Sequence, residues 1–159
     1  MIKRILLTGA SGFVGRALVP ALLARGFQLR LPLRNGAAFP DLPAGSETFS
    51  ITDLETADWP AMMDGVDAVI HLAAIAHIGP SVSDDAYERI NYQASVALGR
   101  AASASGHVQR FIFMSSIRAQ TGVSSAVPLH VGLPRSQPMP MAVPNWQRNR
   151  IWRLSPIWP

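Results

Sequence analysis

Residues able to do chemistry in this chain cluster where apolar runs end. Gly9, Gly12 and Gly15 stand three apart directly after Ile5, Leu6 and Leu7. In that spacing the first glycine takes positive φ at a tight turn. The second lets backbone approach a diphosphate, and the third lets a helix press on the strand. Free N–H groups of the loop and helix start, from Ser11, Gly12, Phe13, Val14 and Gly15, then meet the anion at the positive end of the helix dipole. Other run ends carry Arg34, Asp53-Leu54, Leu72-Ala73-Ala74 and Ser115-Ser116. Arg34 stands where an acid would bond a ribose 2′-hydroxyl, and an arginine there pairs with a 2′-phosphate, which tilts the expected cofactor from NAD toward NADP. Asp53 has two compatible readings, a helix cap before Leu54 to Met63 and a partner for the adenine amino group. The small residues Ala73 and Ala74 would let a flat ring or ribose lie against backbone.

The elements that must position these residues follow from the hydrophobic pattern. Ile5 to Leu7 is a strand, and Phe13, Val14, Ala17, Leu18, Ala21 and Leu22 recur as the buried face of a helix closed by Gly26. Phe27, Leu29, Leu31 and Leu33 alternate as a second strand. Residues 36–46 are a Gly, Ala and Pro rich loop, and Thr48 to Ile51 form a short third strand. Val66 to Leu72 is an almost continuously apolar fourth strand, as expected for one covered on both faces. Asp84 to Ser105 is the longest helical pattern, with Ala86, Ile90, Val96, Leu98, Ala101 and Ala102 on or near its apolar face and Asn91 within it. Phe111 to Met114 is a fifth strand that delivers Ser115 and Ser116. Strand, helix and strand repeated in this way make an α/β fold with a doubly wound, Rossmann-like parallel sheet, whose ligand lies at the carboxyl ends of the strands.

Composition narrows the function classes. The net charge of +4 suggests nucleic acid, but residues 1–122 hold ten basic and ten acidic side chains, so the whole excess lies in the last 37 residues. No basic patch on the fold follows, and nucleic-acid binding is not expected. No apolar run approaches the roughly 18 residues of a membrane span, and the run after Lys3 and Arg4 stops at Thr8, too soon for a signal peptide. The absence of cysteine removes thiolate and disulfide chemistry and fits a cytoplasmic protein. His71 and His77 lack a carboxylate at ligand spacing, so they read as ordinary polar side chains and no metal is expected. Tyr92 has Val96 four residues on where a catalytic pair would need lysine, so it reads as packing.

Thr8-Gly9-Ala10-Ser11-Gly12-Phe13-Val14-Gly15, Asp53-Leu54, His71-Leu72-Ala73-Ala74, Asn91 and Met114-Ser115-Ser116 resemble, in order and spacing, the extended short-chain dehydrogenases, the NAD-dependent epimerase/dehydratase family. The resemblance covers about residues 2–122. It implies NAD or NADP as cofactor and a nucleotide-sugar substrate for an epimerase, dehydratase or 4-keto reductase. It also implies cofactor contacts at the quoted loop, at Asp53, Leu54, Leu72, Ala73, Ala74 and Asn91, and a substrate hydroxyl held by Ser116 with Ser115 as the neighbouring candidate. The family's acid/base is a tyrosine with a lysine four residues later, the lysine lowering the pKa of a phenol that otherwise titrates near 10. Lys3 is the chain's one lysine, so that pair is missing.

The chain divides at about residue 122. Residues 123–159 hold seven of thirteen prolines, three of four tryptophans and no acid, and prolines at 134, 138, 140 and 144 forbid the long helix the family has there. A disordered or irregular docking tail is one reading, and it goes with a second function, a non-catalytic dinucleotide sensor. The genetic code gives another. Back-translating Pro138 to Asn149 and reading from the third base of the Pro138 codon forces Ala, Gly, Leu and Ala at four slots. The shifted frame is compatible throughout with Asp-Ala-Tyr-Gly-Arg-Ser-Lys-Leu-Ala-Ala-Glu, which contains Tyr-x-x-x-Lys with the tyrosine between Pro140 and Met141. A frameshift between about Gly122 and Pro138 would leave an inactive cofactor-binding fragment with five strands, the fifth an apolar edge open to self-association.

Overall fold

The computed structural model describes residues 1–35, 44–75, 83–116 and 128. Five strands form one all-parallel sheet: β1 (Arg4–Thr8), β2 (Gln28–Arg34), β3 (Ser46–Ile51), β4 (Ala68–His71) and β5 (Arg110–Phe113), in the order β3-β2-β1-β4-β5. This is the Rossmann-like arrangement expected from the alternating pattern. Helices α1 (Phe13–Leu23), α2 (Trp59–Met62), α3 (Asp84–Tyr87) and α4 (Ala94–Ala104) connect the strands, with a π-helical turn at Glu88–Gln93 between α3 and α4.

The chain packs as two compact units, Met1–Ala74 with Ala94–Met114, and Ile75–Gln93 with Ser115–Pro159. The first contains the sheet, α1, α2 and α4. The second contains, among the described residues, α3 and the π-helical turn. The expected boundary near residue 122, the Pro/Trp-rich tail apart from Pro128, and His77 lie outside the described residues.

Alternation along β1 sends Leu6 to one face of the sheet and Ile5 and Leu7 to the other, because successive side chains on a strand point oppositely. Leu6 joins Val69, Ile51, Trp59, Met62, Met63 and Leu98 in one core. Ile5 and Leu7 join Val19, Leu29, Leu31 and Ile70 in the second. Covered on both faces, β1 and β4 read as continuous apolar runs. The pairing of β1 with β2 ends at Leu6 opposite Arg30, while β2 follows β3 to Arg34. Pro32, which has no N–H to give, falls where β1 has already left the ladder.

Three expectations need correction. The buried positions of α1 are Gly15 and Val19, with Leu18, Leu22 and Leu23 partly buried. Phe13 is 96% exposed and Val14 47%. Close backbone contact at Gly15 sets which side of the helix faces in, and a Phe13-Val14 face is turned away from it. The helix expected over Leu54 to Met63 is only Trp59–Met62, capped by Asp58 Oδ1, which accepts from the Ala61 N–H at 3.1 Å. Pro60 has no N–H for the carbonyl four residues back and disfavours helix at its neighbour, so the helix starts around it. The long helix carries the π turn, and its buried positions are Tyr87, Ala94, Ser95, Leu98 and Ala102. Leu98, Ala102 and the partly buried Ala101 pack in or against the first core as expected, whereas before α4 the π turn takes in an extra residue and Ala86 and Ile90 are only half-buried, as is Val96.

Candidate functional site

In the first unit the glycine loop is built as its spacing requires. Gly9 has φ +75°, and the Gly12 N–H donates to its carbonyl at 3.0 Å, closing the bend. A Cβ on Gly9 would lie 2.8 Å from the Ala73 nitrogen, so the β1 and β4 exits touch backbone to backbone. At Gly15 a Cβ would lie 2.2 Å from the Gly9 carbonyl oxygen and 2.5 Å from that of Ala10. Gly12 differs from both. Its φ of −77° and ψ of 175° suit any residue, and its nearest clash is a moderate 3.2 Å to the Gly9 oxygen. The chain therefore demands glycine at 9 and 15, while at 12 the backbone admits any residue and a Cβ would only press on the Gly9 oxygen.

Gly12 is the N-cap of α1 and gives no side-chain cap, and no acid stands in the first turn. The helix start thus keeps its positive character, and these residues fit a diphosphate. Ser11 turns its carbonyl to the Arg16 guanidinium, whose Nε–H donates at 2.9 Å. Arg16 was missed in the sequence because one arginine on a helix carries no signal by itself.

The remaining first-unit positions lie at strand exits. Arg34 ends β2 and is exposed. Asp53 follows β3, and its Oδ1 accepts from the Glu55 N–H at 2.9 Å, the Thr56 N–H at 2.8 Å and the Thr56 hydroxyl at 2.8 Å. It organises a turn and caps no helix. Leu54 packs against the first core and Leu72 against the second. Ala73 is half-buried and Ala74 exposed.

Beneath the bend lies a buried polar chain that the sequence did not announce. Thr8, His71 and Ser95 are all buried. His71 Nδ1 lies 2.6 Å from Thr8 Oγ1, and Nε2 lies 2.7 Å from Ser95 Oγ. Burial lowers the His71 pKa to about 4, because a charged imidazolium is poorly solvated there. The ring is therefore neutral at pH 7, and each nitrogen has a hydroxyl partner. The only sequence signal was a histidine closing a run of buried apolar residues.

In the second unit Asn91 engages Ile75 through both ends of its amide. Its Oδ1 accepts from the Ile75 N–H at 2.7 Å, and its Nδ2–H donates to the Ile75 carbonyl at 2.9 Å. Ser115 and Ser116 are exposed. Among the described residues no three His, Cys, Asp or Glu side chains gather to hold a metal, and no helix is long and apolar enough to cross a membrane.

Comparison with known proteins places this geometry. Residues 5–140 match the NAD dependent epimerase/dehydratase family. A 3 beta-hydroxysteroid dehydrogenase/Delta 5-->4-isomerase of Mycobacterium tuberculosis is 37% identical over 121 residues, 72% of this chain and 32% of that protein. A UDP-glucose 4-epimerase of Vibrio cholerae is 33% identical over 123 residues, 74% of this chain and 36% of that protein. Among solved structures, a mutated uronate dehydrogenase superposes with TM-score 0.75 at 26% identity, covering 97% of this chain and 54% of its own. MoeE5 in complex with UDP-glucuronic acid and NAD superposes with TM-score 0.71 at 29% identity, covering 93% of this chain and 48% of its own. The chain spans about a third of the length of these curated relatives and about half of these solved structures. With its glycine bend on a five-stranded parallel sheet, the chain belongs to the NAD-dependent epimerase/dehydratase family.

Proposed function

We propose that residues 1–122 are the cofactor-binding part of an NAD-dependent enzyme that acts on a nucleotide-activated sugar as an epimerase, dehydratase or 4-keto reductase. The observation that carries this reading is the uncapped, acid-free start of α1 directly after the positive-φ glycine bend. The loop from Gly9 through Ser11, Gly12, Phe13 and Val14 to Gly15 would hold the diphosphate with its amides. Asp53 and Leu54 would lie at the adenine, Leu72, Ala73 and Ala74 at the ribose side, and Asn91 would order the segment after β4 by holding Ile75. Ser116, with Ser115 beside it, would align the substrate hydroxyl. When bound, the nicotinamide supplies the hydride acceptor.

The sugar reading is supported by the UDP-glucose 4-epimerase and by MoeE5 with its bound UDP-glucuronic acid. NAD is preferred to NADP because the family is NAD-dependent, and the tilt toward NADP rests on Arg34 alone. The chain as written lacks Tyr-x-x-x-Lys, and with no base to take the hydroxyl proton it would not turn over. The shifted frame after about residue 122 would restore that pair. The missing pair also favours a second reading, a dinucleotide sensor without catalysis.

Calorimetric titration of the 159-residue chain with NAD+ and NADP+ tests the cofactor part: saturable NAD+ binding is expected, and a folded chain that takes up neither would overturn it. Reading the gene across codons 115 to 159 tests the tail. Codons that put His, Asn or Asp in the tyrosine slot, or a stop in the lysine slot, would end the frameshift reading. If the frame-restored protein oxidised a hydroxysteroid and ignored UDP-sugars, the sugar assignment would fall.

A further inference from the structure

The β1 and β4 exits meet through two long bonds. The Leu72 N–H donates to the Thr8 carbonyl at 3.3 Å, and the Ala73 N–H donates to Thr8 Oγ1 at 3.3 Å. Both lie beyond the usual range for N–H···O contacts, yet they hold the closest backbone approach at the bend, Gly9 against Ala73. The bonds that fix the Thr8 hydroxyl are far shorter, 2.6 Å to His71 and then 2.7 Å from His71 to Ser95 on α4. Thr8 Oγ1 accepts from Ala73 and keeps a second lone pair and its own proton, so either tautomer of the neutral ring pairs both nitrogens: Thr8 donates to Nδ1 while Nε2–H donates to Ser95, or Nδ1–H donates to Thr8 while Ser95 donates to Nε2. The His71 ring also lies against Phe113 of β5, with centroids 5.6 Å apart. One side chain thus touches β1, α4 and β5 from the end of β4.

We propose that His71 is a positioning residue: acting through the Thr8 hydroxyl, its ring sets the separation between the exit carrying Gly9 and the exit carrying Ala73, and so shapes the seat of the dinucleotide. This rests on the cofactor reading above for what the seat holds, and on the hydrogen-bond chain alone for how it is held. Packing does not account for the arrangement, since a phenyl ring would fill the same volume and remove both short bonds, to the Thr8 hydroxyl and to the Ser95 hydroxyl.

Two measurements on the full chain test it. The first compares Thr8→Val, Thr8→Ser and His71→Phe with the wild type by NAD+ titration. Thr8→Val keeps the volume and removes the hydroxyl, whereas Thr8→Ser keeps the hydroxyl. Thr8→Val and His71→Phe should each weaken NAD+ tenfold or more, their combination should be no weaker than either alone, and Thr8→Ser should stay within threefold. A Thr8→Val protein with wild-type affinity, or additive losses, would overturn the proposal. The second reads amide exchange at Ala73 by NMR without cofactor, and Thr8→Val and His71→Phe should speed it at least tenfold. Unchanged exchange at Ala73 would overturn the proposal, and so would a speeding shared equally by the slow amides of β1 and β2, which overall destabilisation alone produces. Should Ala73 respond as expected while the wild type takes up no NAD+, the cofactor reading fails and the hydrogen-bond chain stands.

Discussion

The glycine bend and the Thr8, His71, Ser95 chain lie side by side at the same strand exits but are encoded differently. The bend is local: Gly9, Ala10, Gly12 and Gly15 contact one another within a few residues, and each contact is a backbone requirement. The polar chain is long-range, joining Thr8 to His71 across 63 positions and His71 to Ser95 across 24. What lies within one turn of backbone can be read as spacing. What depends on which strand lies beside which becomes visible only after the sheet is assembled.

That contrast can be broken first at Gly15. Alanine there places a Cβ 2.2 Å from a backbone oxygen that cannot move without opening the bend. Gly15→Ala should cost more than about 4 kcal/mol or leave no folded protein, in the class of severe overpacking, as read by urea denaturation. A variant with an unshifted midpoint would show that the bend yields.

The polar chain is broken by acid. His71 is lowered to about 4 in the folded state from an ordinary value near 6.5 in the unfolded one, so between those values the unfolded chain binds more protons. Its contribution is therefore whole above pH 6.5 and is lost as pH falls toward 4. The loss across that window is roughly 3 kcal/mol at about 1.4 kcal/mol per unit. Thr8, Ser95 and Phe113, which face the ring, are uncharged, and burial is the cause of the shift. Denaturation midpoints from pH 7 to 4 should fall for the wild type and flatten for His71→Phe.

The smallest effect sharpens the comparison inside the bend. Gly12→Ala has an extended backbone open to any residue, and its Cβ would press at 3.2 Å on the same Gly9 oxygen, so it should cost much less stability than Gly15→Ala, about 1–2 kcal/mol, while weakening NAD+ at least tenfold. A loss of stability as large as that of Gly15→Ala would mean that the middle glycine serves the fold after all.

Legibility follows the same division. β1 and β4 were readable as buried strands because Ile5 to Leu7 are apolar without alternation and Val66 to Leu72 nearly so, interrupted by Asp67 and His71, and the roles of Gly9 and Gly15 because φ and close approach leave few other residues. The buried side of α1 was misread because the apolar residues Phe13 and Val14 fit a helical period that the Gly15 contact overrides. The short α2 was legible in principle, since Pro60 stood in the sequence. The π turn at Glu88–Gln93 was not, because an extra residue per turn leaves no mark on residue type. His71 read as an ordinary polar side chain, and its partners are hydroxyls that appear everywhere in sequences.

Of the five strands, the earliest in the chain is the one that ends up innermost. β1 pairs β2 about two dozen residues later and β4 some sixty later, so a nascent chain carries Ile5, Leu6 and Leu7 with one flank bare until residue 71 has emerged. Closing that second flank means immobilising a long intervening segment before any contact rewards it. On the ribosome the centre of the sheet thus stays wet on one flank after its other flank is already paired.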